Sequence, residues 1–424
     1  MKHTRNRLSM ACLLAIVAMP AWAAGESAHA LPATTSATPS LQLEWDARLR
    51  HEGVDDDAFT RNASADTLRL RLGLHAEFGH GWSGLLEGAG VASVDDRYNS
   101  GANGQSRYPA VTDPKGSEFN QSWVRWQGSQ FAATVGRQRL LVDNQRWIGN
   151  SGWRQHEQTF DAVALQWQPW SALTVNYDWL DRVHRVAGDD ALNPLARERK
   201  LNTHLLNVAW TRGTQQFTGY AYLHDDRDVA SASSATYGLR WNGKALRDGN
   251  GLGWTVEGAR QYEHADNPLN FAHSYWLLEP SWTQSGITAK LGWEHLGGNG
   301  LHALQTPLAT LHAFNGWNDQ FNVTPAGGLD DRYVGVNGNF GRAGLASKLA
   351  WTVVWHDYRA DRGGRYGSEW DASLAFPLAS GLSGLVKLGN YQADGFGRDS
   401  AKVWLQLEWR GQHGLAGARR DDRR

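Results

Sequence analysis

The sequence predicts an all-β fold: one transmembrane antiparallel β-barrel of about 18 strands with inward-folded outer loops. Three observations lead to this prediction. Segments of about ten residues alternate between apolar and polar side chains, short and long connections alternate between these segments, and aromatic residues are frequent although no apolar run could span a bilayer as a helix. In lipid every backbone N–H and C=O must be paired, so a sheet crosses a bilayer only when it closes on itself.

The composition limits the class of protein. The chain has 424 residues and 22 tryptophans, and its one cysteine and three methionines all lie within positions 1–19. The rest of the chain therefore has no disulfide, no thiolate metal site and no cysteine nucleophile. A net charge of -1 does not by itself indicate nucleic acid or another charged partner. A polar average with many aromatics fits a barrel whose two faces alternate and whose aromatics gather at the interfaces.

The amino terminus predicts an export signal. Lys2, Arg5 and Arg7 form a positive start, residues 10–19 an apolar middle, and Ala21–Ala23 a small-residue cleavage site. The small, polar, proline-containing residues that follow predict a disordered lead-in. The predicted organisation is a signal peptide at 1–23, a periplasmic lead-in at 24–40, a transmembrane barrel at 41–410 and a C-terminal periplasmic tail at 411–424.

Period-two alternation begins at the first strand. Between Leu41 and Arg50 the even positions are all polar, and between Thr67 and Phe78 leucines occupy one face while Arg69 and Arg71 lie on the other. A helix would need a period of 3.6 and would mix the two sets. The pattern recurs along the chain and predicts strands that begin near Leu41, Thr67, Trp82, Phe119, Phe131, Gln158, Leu173, Thr203, Gln216, Ala235, Trp254, Ser274, Ile287, Arg332, Leu345, Glu369, Leu382 and Ala401.

The connections alternate in length. Brief turns such as Gly79–Gly81 and Pro169–Ala172 are followed by long loops such as Leu140–Glu157. Short periplasmic turns and long outer loops are typical of outer-membrane barrels, and they predict that both termini are periplasmic. The longest loop, Gly297–Leu329, is rich in Leu, Phe and Trp, and we expect it to fold inward as a plug or lid.

The stretch Val135–Ala162 is dense in arginine and tryptophan and carries acids that could hold the arginines in place. We expect it to lie in or over the lumen. Strict alternation would point Arg137 and Arg139 outward, where an arginine in lipid costs about 2–4 kcal/mol. Either both lie above the bilayer or a bulge at Gly136 turns them inward, and the sequence favours the bulge.

Several blocks of this chain, in the same order, resemble the alginate export family of bacterial outer-membrane porins. They are GRQRLLVDNQRWIGNSGWRQHEQTFDA (136–162), LGWEHLGGNG (291–300), QTPLATLHAFNGWNDQF (305–321), GGLDDRY (327–333), YGSEWDASLAF (366–376) and KVWLQLEW (402–409). The resemblance implies an 18-stranded monomeric barrel whose narrow, arginine-rich lumen passes an anionic polysaccharide outward. The family's charged constriction carries over to Arg137, Arg139 and Arg154. One departure is that the chain continues beyond Trp409, whereas such barrels commonly end on an aromatic residue that the assembly machinery reads.

The predicted pore site rests on arginines that cluster on neighbouring strands. Patches of arginine select anions in pores, and a narrow lumen concentrates their field. For each charged residue, the alternative is that it only solvates a water-filled wall and braces it through ion pairs. Tryptophans near strand ends predict anchors at the membrane interface, and stacking on sugars is the alternative for the loop tryptophans Trp147, Trp153 and Trp317. The candidate pore residues are Arg48, Arg69, Arg71, Arg125, Arg137, Arg139, Arg146, Arg154, Asp143, Asp161, Lys290, Glu369 and Asp371.

The predicted function is an integral outer-membrane channel for anionic solutes, with export of an alginate-like acidic polysaccharide as the leading case. The alternatives are a general or nutrient-uptake porin for small anions, and an outer-membrane enzyme acting on lipid or glycan. We predict no catalytic residue, metal or cofactor; Asp225, Asp226 and Asp228 either bind calcium or are simply solvated. The expected partners are outer-membrane lipid, the anionic solute, the barrel-assembly machinery and periplasmic export proteins, without nucleic acid.

Overall fold

The computed structural model describes residues 39–340 and 349–417. Within these ranges eighteen antiparallel strands follow one another in chain order and form one sheet, which closes where the first strand pairs with the last. The predicted fold class is confirmed. The strands are β1 (Ser40–Asp56), β2 (Ala63–Gly79), β3 (Trp82–Ser93), β4 (Gly116–Gln127), β5 (Phe131–Gln138), β6 (Thr159–Trp170), β7 (Leu173–His184), β8 (Glu198–Arg212), β9 (Gln215–His224), β10 (Ser234–Arg247), β11 (Asn250–Glu263), β12 (Ala272–Gln284), β13 (Ile287–Leu296), β14 (Leu329–Asn339), β15 (Ala350–Arg359), β16 (Arg365–Ala379), β17 (Leu382–Ala393) and β18 (Ser400–Gly417).

In the part of the chain that the structure describes, helical structure is confined to the connections. One helical turn, α1 (Pro194–Arg197), precedes β8, and two 3-10 turns occupy Ala230–Ala232 and Leu311–Ala313. Within the described ranges no helix is long and apolar enough to cross a bilayer.

The strand boundaries differ from the predicted ones by a few residues, as at β8, which begins at Glu198 instead of Thr203. The predicted signal peptide, nearly all of the lead-in and the predicted strand start at Leu345 lie outside the described residues. The C-terminal end differs from the prediction in a definite way: β18 extends seven residues beyond 410, to Gly417. There it pairs with the first residues of β1, up to Ser40 opposite Gly417. These residues of β18 provide the backbone hydrogen-bond partners for the beginning of β1.

The two faces of the sheet have opposite chemistry. On β2, Leu68, Leu70, Leu72 and Leu74 point outward and are each 43–48% exposed, whereas the alternating arginines are buried inside. Exposed aromatics lie outside beside the short turns, where Trp210, Phe217 and Trp241 form a continuous stack. An apolar outer belt edged by aromatics is the surface that a bilayer requires.

Two long loops fill the interior, as predicted for both. Loop A (residues 139–158) joins β5 to β6, and loop B (residues 297–328) joins β13 to β14. They meet where Ile148 bridges Leu308 and where the Gly149 N–H donates to the Leu308 carbonyl at 2.9 Å. Both loops come from the end of the barrel where the connections are long, called here the long-loop end. The opposite end is the short-turn end.

Candidate functional site

The closure of the barrel builds a charged wall across β18, β1 and β2. The strand register places Glu408, Arg48 and the β2 residue Arg69 in one row, and Arg410, Asp46 and Arg71 in the adjacent row. Because the alternation sends all six side chains inward, opposite charges meet both directly across a row, as Arg48 and Glu408 do, and diagonally between rows, as Arg69 and Asp46 do. Arg69 lies 2.6 Å from Asp46 and 3.2 Å from Glu408, and Arg48 lies 2.7 Å from Glu408. The sequence predicted that Arg48, Arg69 and Arg71 gather in the lumen; their role in selecting a solute stays a prediction.

Cations outnumber carboxylates within this wall. Three guanidinium groups, those of Arg48, Arg69 and Arg410, share the two carboxylates of Asp46 and Glu408. Arg48 also donates from Nη1 to backbone carbonyls of loop A at Gly152 and Trp153 and so links the wall to the loop. Within this group of five side chains the guanidinium groups therefore exceed the carboxylates by one.

Loop A contributes to a second cluster of charged side chains, next to this wall. Arg71 lies 3.2 Å from Glu157, and Arg139 pairs with both Glu157 and Glu87. Burial alone would raise the pKa of Glu157, but Arg71 and Arg139 reverse the shift and lower it to about 2. Glu157 is therefore ionised at neutral pH, and it holds the end of loop A against β2.

Arg125 lies on β4 near the short-turn end and faces the lumen. It donates to Thr134 Oγ1 at 3.1 Å and to Gln127 Oε1 at 3.3 Å. Among the residues that the structure describes, no carboxylate lies at ion-pair distance from it, in contrast to the other arginines predicted for the pore. Its charge is therefore available to a passing anion.

The predicted bulge at Gly136 is absent, and Arg137 does not face the lumen. β5 pairs with β4 and β6 without a register shift, so Arg137 shares the outward face of Val135. Gly136 has a different role: its φ is 123°, and a Cβ there would come within 2.2 Å of the Ser122 carbonyl oxygen. Arg137 lies next to the last residue of the strand, at the long-loop end, and pairs with Asp161 at 2.9 Å. Arg139 turns inward because β5 ends at Gln138.

Loop A crosses the lumen to the opposite wall. Its Arg146 donates from Nε to Glu294 Oε1 on β13 at 2.7 Å, and Trp147 donates from Nε1 to Glu257 on β11 at 3.1 Å. Asp143 was expected to hold a loop arginine; instead it pairs with the wall residue Arg240 at 2.7 Å. Loop A is thus fastened on both sides of the barrel.

Loop B is fastened to β16 by carboxylates that were predicted to line the pore. The N–H of Asn318 donates to Glu369 at 2.7 Å and the N–H of Trp317 donates to Asp371 at 3.2 Å. Glu369 and Asp371 are almost completely buried under the loop. They anchor loop B and do not form a free acidic face.

Asp319 is the centre of the loop B attachment. Its carboxylate lies 3.0 Å from Arg154 of loop A, 3.0 Å from Lys402 of β18 and 2.8 Å from His312 of loop B. Arg154 in turn reaches Glu52 on β1 at 3.3 Å. Burial alone would raise the pKa of Asp319, but His312, Lys402 and Arg154 hold it well below its usual range.

The loop tryptophans have internal partners. Trp147 and Trp317 are buried, Trp153 stacks on His312 at 4.6 Å, and the Lys387 ammonium lies 3.8 Å from the Trp317 ring centre. With rings enclosed by protein partners in the interior, these tryptophans neither lie at the membrane interface nor present a free face to a sugar. The last of the predicted pore cations, Lys290, pairs with Glu279 at 2.8 Å.

Some residues of this site escaped the sequence prediction. Asp319 and His312 lie in loop B, which is rich in apolar residues. Asp319 is the only acid in that loop and follows Trp317 and Asn318, and this isolation in an apolar segment was the available signal that it makes a buried contact. Glu52 continues the inward face of β1 beyond the segment used to define the alternation. The carboxylate of Asp226 pairs with Arg199 at 2.9 Å and accepts hydrogen bonds from the N–H groups of Asp228 and Val229. It therefore stabilises its own loop.

A closed barrel with an apolar exterior, a charged lumen and inward loops defines a porin-type channel of the bacterial outer membrane. The sequence model of the alginate export family matches residues 40–294, which is more than half of the chain. The chain belongs to this family. No curated protein matches the chain.

Solved structures with the same fold support the class. OccK3 (OpdO) of Pseudomonas aeruginosa is 13% identical with a TM-score of 0.68, over 89% of this chain and 96% of that one. OccAB3 of Acinetobacter baumannii is 12% identical with a TM-score of 0.70, over 88% and 99%. OpdK of Pseudomonas aeruginosa, solved with vanillate, is 12% identical with a TM-score of 0.68, over 88% and 99%. At these identities the likeness concerns the fold alone.

Proposed function

We propose that this channel selects anionic solutes through the wall of β18, β1 and β2 and through Arg125 near the short-turn end. The observation that carries the proposal is the excess of guanidinium groups over carboxylates in that wall, together with an arginine that no described carboxylate neutralises. Positive rings or patches favour anions in pores. The alternation of short turns and long loops supports an orientation with both termini in the periplasm.

The leading substrate class is an acidic polysaccharide or oligosaccharide, and the leading direction is export. The family to which the chain belongs supports this choice. A polymer of uronate units presents one carboxylate per sugar, which suits a path lined by successive guanidinium groups. The partners that follow from this role are the barrel-assembly machinery and periplasmic proteins that deliver the polymer to a monomeric barrel. Nothing in this role requires a catalytic residue.

The filled lumen favours a second candidate, a porin for the uptake of small anions. Loops A and B cross the interior and are held there by buried ion pairs, including Arg146 with Glu294 and Arg154 with Asp319. A polymer could pass only after these contacts shift. The solved relative in fold that carries vanillate, OpdK, holds a small carboxylate. Liposome swelling with glucuronate and with oligo-uronates of increasing length separates the two: uptake of the monomer alone favours the porin.

Arg125 provides the direct test of anion selectivity. We expect Arg125→Gln to lower the anion-to-cation permeability ratio about two- to tenfold, because the substitution removes a lumen charge that no described carboxylate balances. The measurement is the reversal potential of the purified channel in a planar bilayer under a KCl gradient, first at low salt, where screening is weak. Arg137→Gln is the matched control, since that arginine faces outward, and its selectivity should equal that of the wild type.

The proposal fails if the wild-type channel prefers cations and Arg125→Gln leaves the reversal potential unchanged. It also fails if Arg137→Gln alters selectivity as much as Arg125→Gln does. In that case the field would arise from charge anywhere on the barrel and not from the lumen wall.

A further inference from the structure

A cavity of about 500 Å³ lies at the long-loop end, away from the arginine-rich wall. It is enclosed by loop B and by the ends and connections of β7 to β12. In the circular strand order these strands lie across the barrel from β18, β1 and β2. A volume of this size falls within the range of small-molecule sites, roughly 300–1,000 Å³.

The charged side chains that line the cavity are two arginines. Arg199 is compensated, since its Nη1 lies 2.9 Å from Asp226. No side-chain contact of Arg185 with a carboxylate occurs within the described parts of the chain, and the residues lining the cavity include no Asp or Glu. Burial, and then the neighbouring Arg199, lower the pKa of Arg185 to about 10. Arg185 therefore remains a cation at neutral pH, and the carboxylate that acts on it from a distance, Asp226, is already paired with Arg199.

Part of the cavity lining is apolar and exposed. Leu301 is 85% exposed and Val323 is 71% exposed, both on loop B, and both line the cavity with Phe271. Phe271 is held in place by stacking on His273 at 5.0 Å. Apolar side chains that are exposed in the same cavity gain free energy when the apolar face of a ligand covers them.

We propose that this cavity is a binding site for an organic carboxylate whose body presents an apolar face. The carboxylate would accept charge-assisted hydrogen bonds from Arg185, and the body would cover Val323, Leu301 and Phe271. A planar guanidinium matches a carboxylate through two parallel N–H bonds. The site goes beyond the proposed selectivity of the pore, because none of its residues belongs to the β18, β1 and β2 wall or contacts Arg125.

The charge requirement is tested by calorimetric titration of the full-length protein in detergent with phenylacetate and with its uncharged analogue 2-phenylethanol. We expect the wild type to bind phenylacetate about tenfold more tightly or better, because a hydrogen bond to a charged group carries that difference. Arg185→Gln should weaken phenylacetate binding about tenfold, and Arg185→Lys should recover part of it. Arg227→Gln is the matched control, because Arg227 is exposed and lies outside the cavity on the β9–β10 connection. Ligand that partitions into the detergent affects both variants equally, so the difference between them reports binding to the protein.

The apolar requirement has its own pair of variants. Val323→Thr keeps the side-chain shape and should weaken phenylacetate binding about three- to tenfold, since a methyl group is replaced by a hydroxyl. Val94→Thr, equally exposed but outside the cavity, should have no effect. Acetate, which carries the charge without the body, should bind more weakly than phenylacetate.

The inference is overturned if phenylacetate and 2-phenylethanol bind alike, or if Arg185→Gln and Arg227→Gln give the same affinity. The reversal potential of Arg185→Gln separates this site from the pore. Loss of phenylacetate binding with unchanged ion selectivity supports a site independent of the pore wall. A parallel loss of both would overturn that independence.

Discussion

Replacing Asp319 with asparagine is expected to release loop B from the wall and to increase the conductance of the channel. Asparagine has nearly the same shape, but it removes the carboxylate that faces Arg154, Lys402 and His312. His312 accepts from the Lys387 ammonium at 2.6 Å through Nε2, which assigns its proton to Nδ1 facing Asp319. The substitution leaves Arg154 and Lys402 buried without this carboxylate, which costs about 3–5 kcal/mol. Movement of loop B into solvent relieves that cost because water then reaches the two cations.

Two measurements test the Asp319→Asn variant. Single-channel conductance should rise, and chymotrypsin should cut loop B, which has Leu, Phe and Trp but no Lys or Arg. Asp266→Asn, on an exposed outer connection, is the control and should leave both unchanged. If the variant keeps wild-type conductance and resists chymotrypsin, the carboxylate of Asp319 does not hold the loop.

The pH dependence of loop B follows from the same carboxylate. The pKa of Asp319 is held well below its usual range, so its contribution is present above its unfolded pKa and is lost only as pH falls through the depressed folded value. Conductance should therefore stay constant as pH falls from 7 to about 4, the ordinary range of an aspartate. A conductance step near pH 6 that is present in the wild type and lost in Asp319→Asn would contradict this assignment.

The second large effect is expected for Glu294→Gln. Glu294 accepts hydrogen bonds from Arg146, Tyr275 and Asn315. Burial alone would lower the pKa of Arg146, but Glu294 raises it above its ordinary value, so the arginine stays charged. Glutamine would leave that charge buried without a counter-ion, at a cost of about 3–5 kcal/mol, and would loosen loop A from β13.

Trypsin reports this change at one bond. Arg146 is only 2% exposed, so the wild-type protein should resist cleavage after it, whereas Glu294→Gln should be cut there, as mass spectrometry of the fragments would record. Glu279→Gln is the matched control because it breaks the wall pair with Lys290 without touching either loop. Equal cleavage in the two variants would mean that general loosening of the barrel, and not the Arg146 contact, exposes the bond.

The fold was predictable because its signal is local and repeated. Alternation over about ten residues fixes both a strand and the direction of each side chain, so Arg48, Arg69 and Arg71 could be placed in the lumen together. Arg137 was misplaced because its direction depends on whether the pairing shifts at Gly136. A glycine permits a bulge but does not require one.

The partners within the site were less predictable because they are distant in sequence. Asp143 pairs with Arg240, 97 residues away, whereas closer arginines were the natural guess. The lumen face of Glu369 and Asp371 follows from alternation, but whether a loop covers them depends on how loop B folds. Arg185 was missed because its importance lies in having no ion-pair partner among the residues that the structure describes, which no sequence pattern records.

The path of loop A has a mechanical consequence. The loop touches β1 and β2 through Arg154 and Glu157, and β10, β11 and β13 through Asp143, Trp147 and Arg146. Loop A therefore crosses the interior of the barrel and connects its two opposite sides. The lateral pressure of the bilayer would flatten an empty barrel of this circumference. Here a change of the barrel's width along the direction of loop A has to break the ion pairs and hydrogen bonds that hold the loop to both sides. The separation of these two sides of the barrel is accordingly set by a loop in its interior as well as by the strands of its wall.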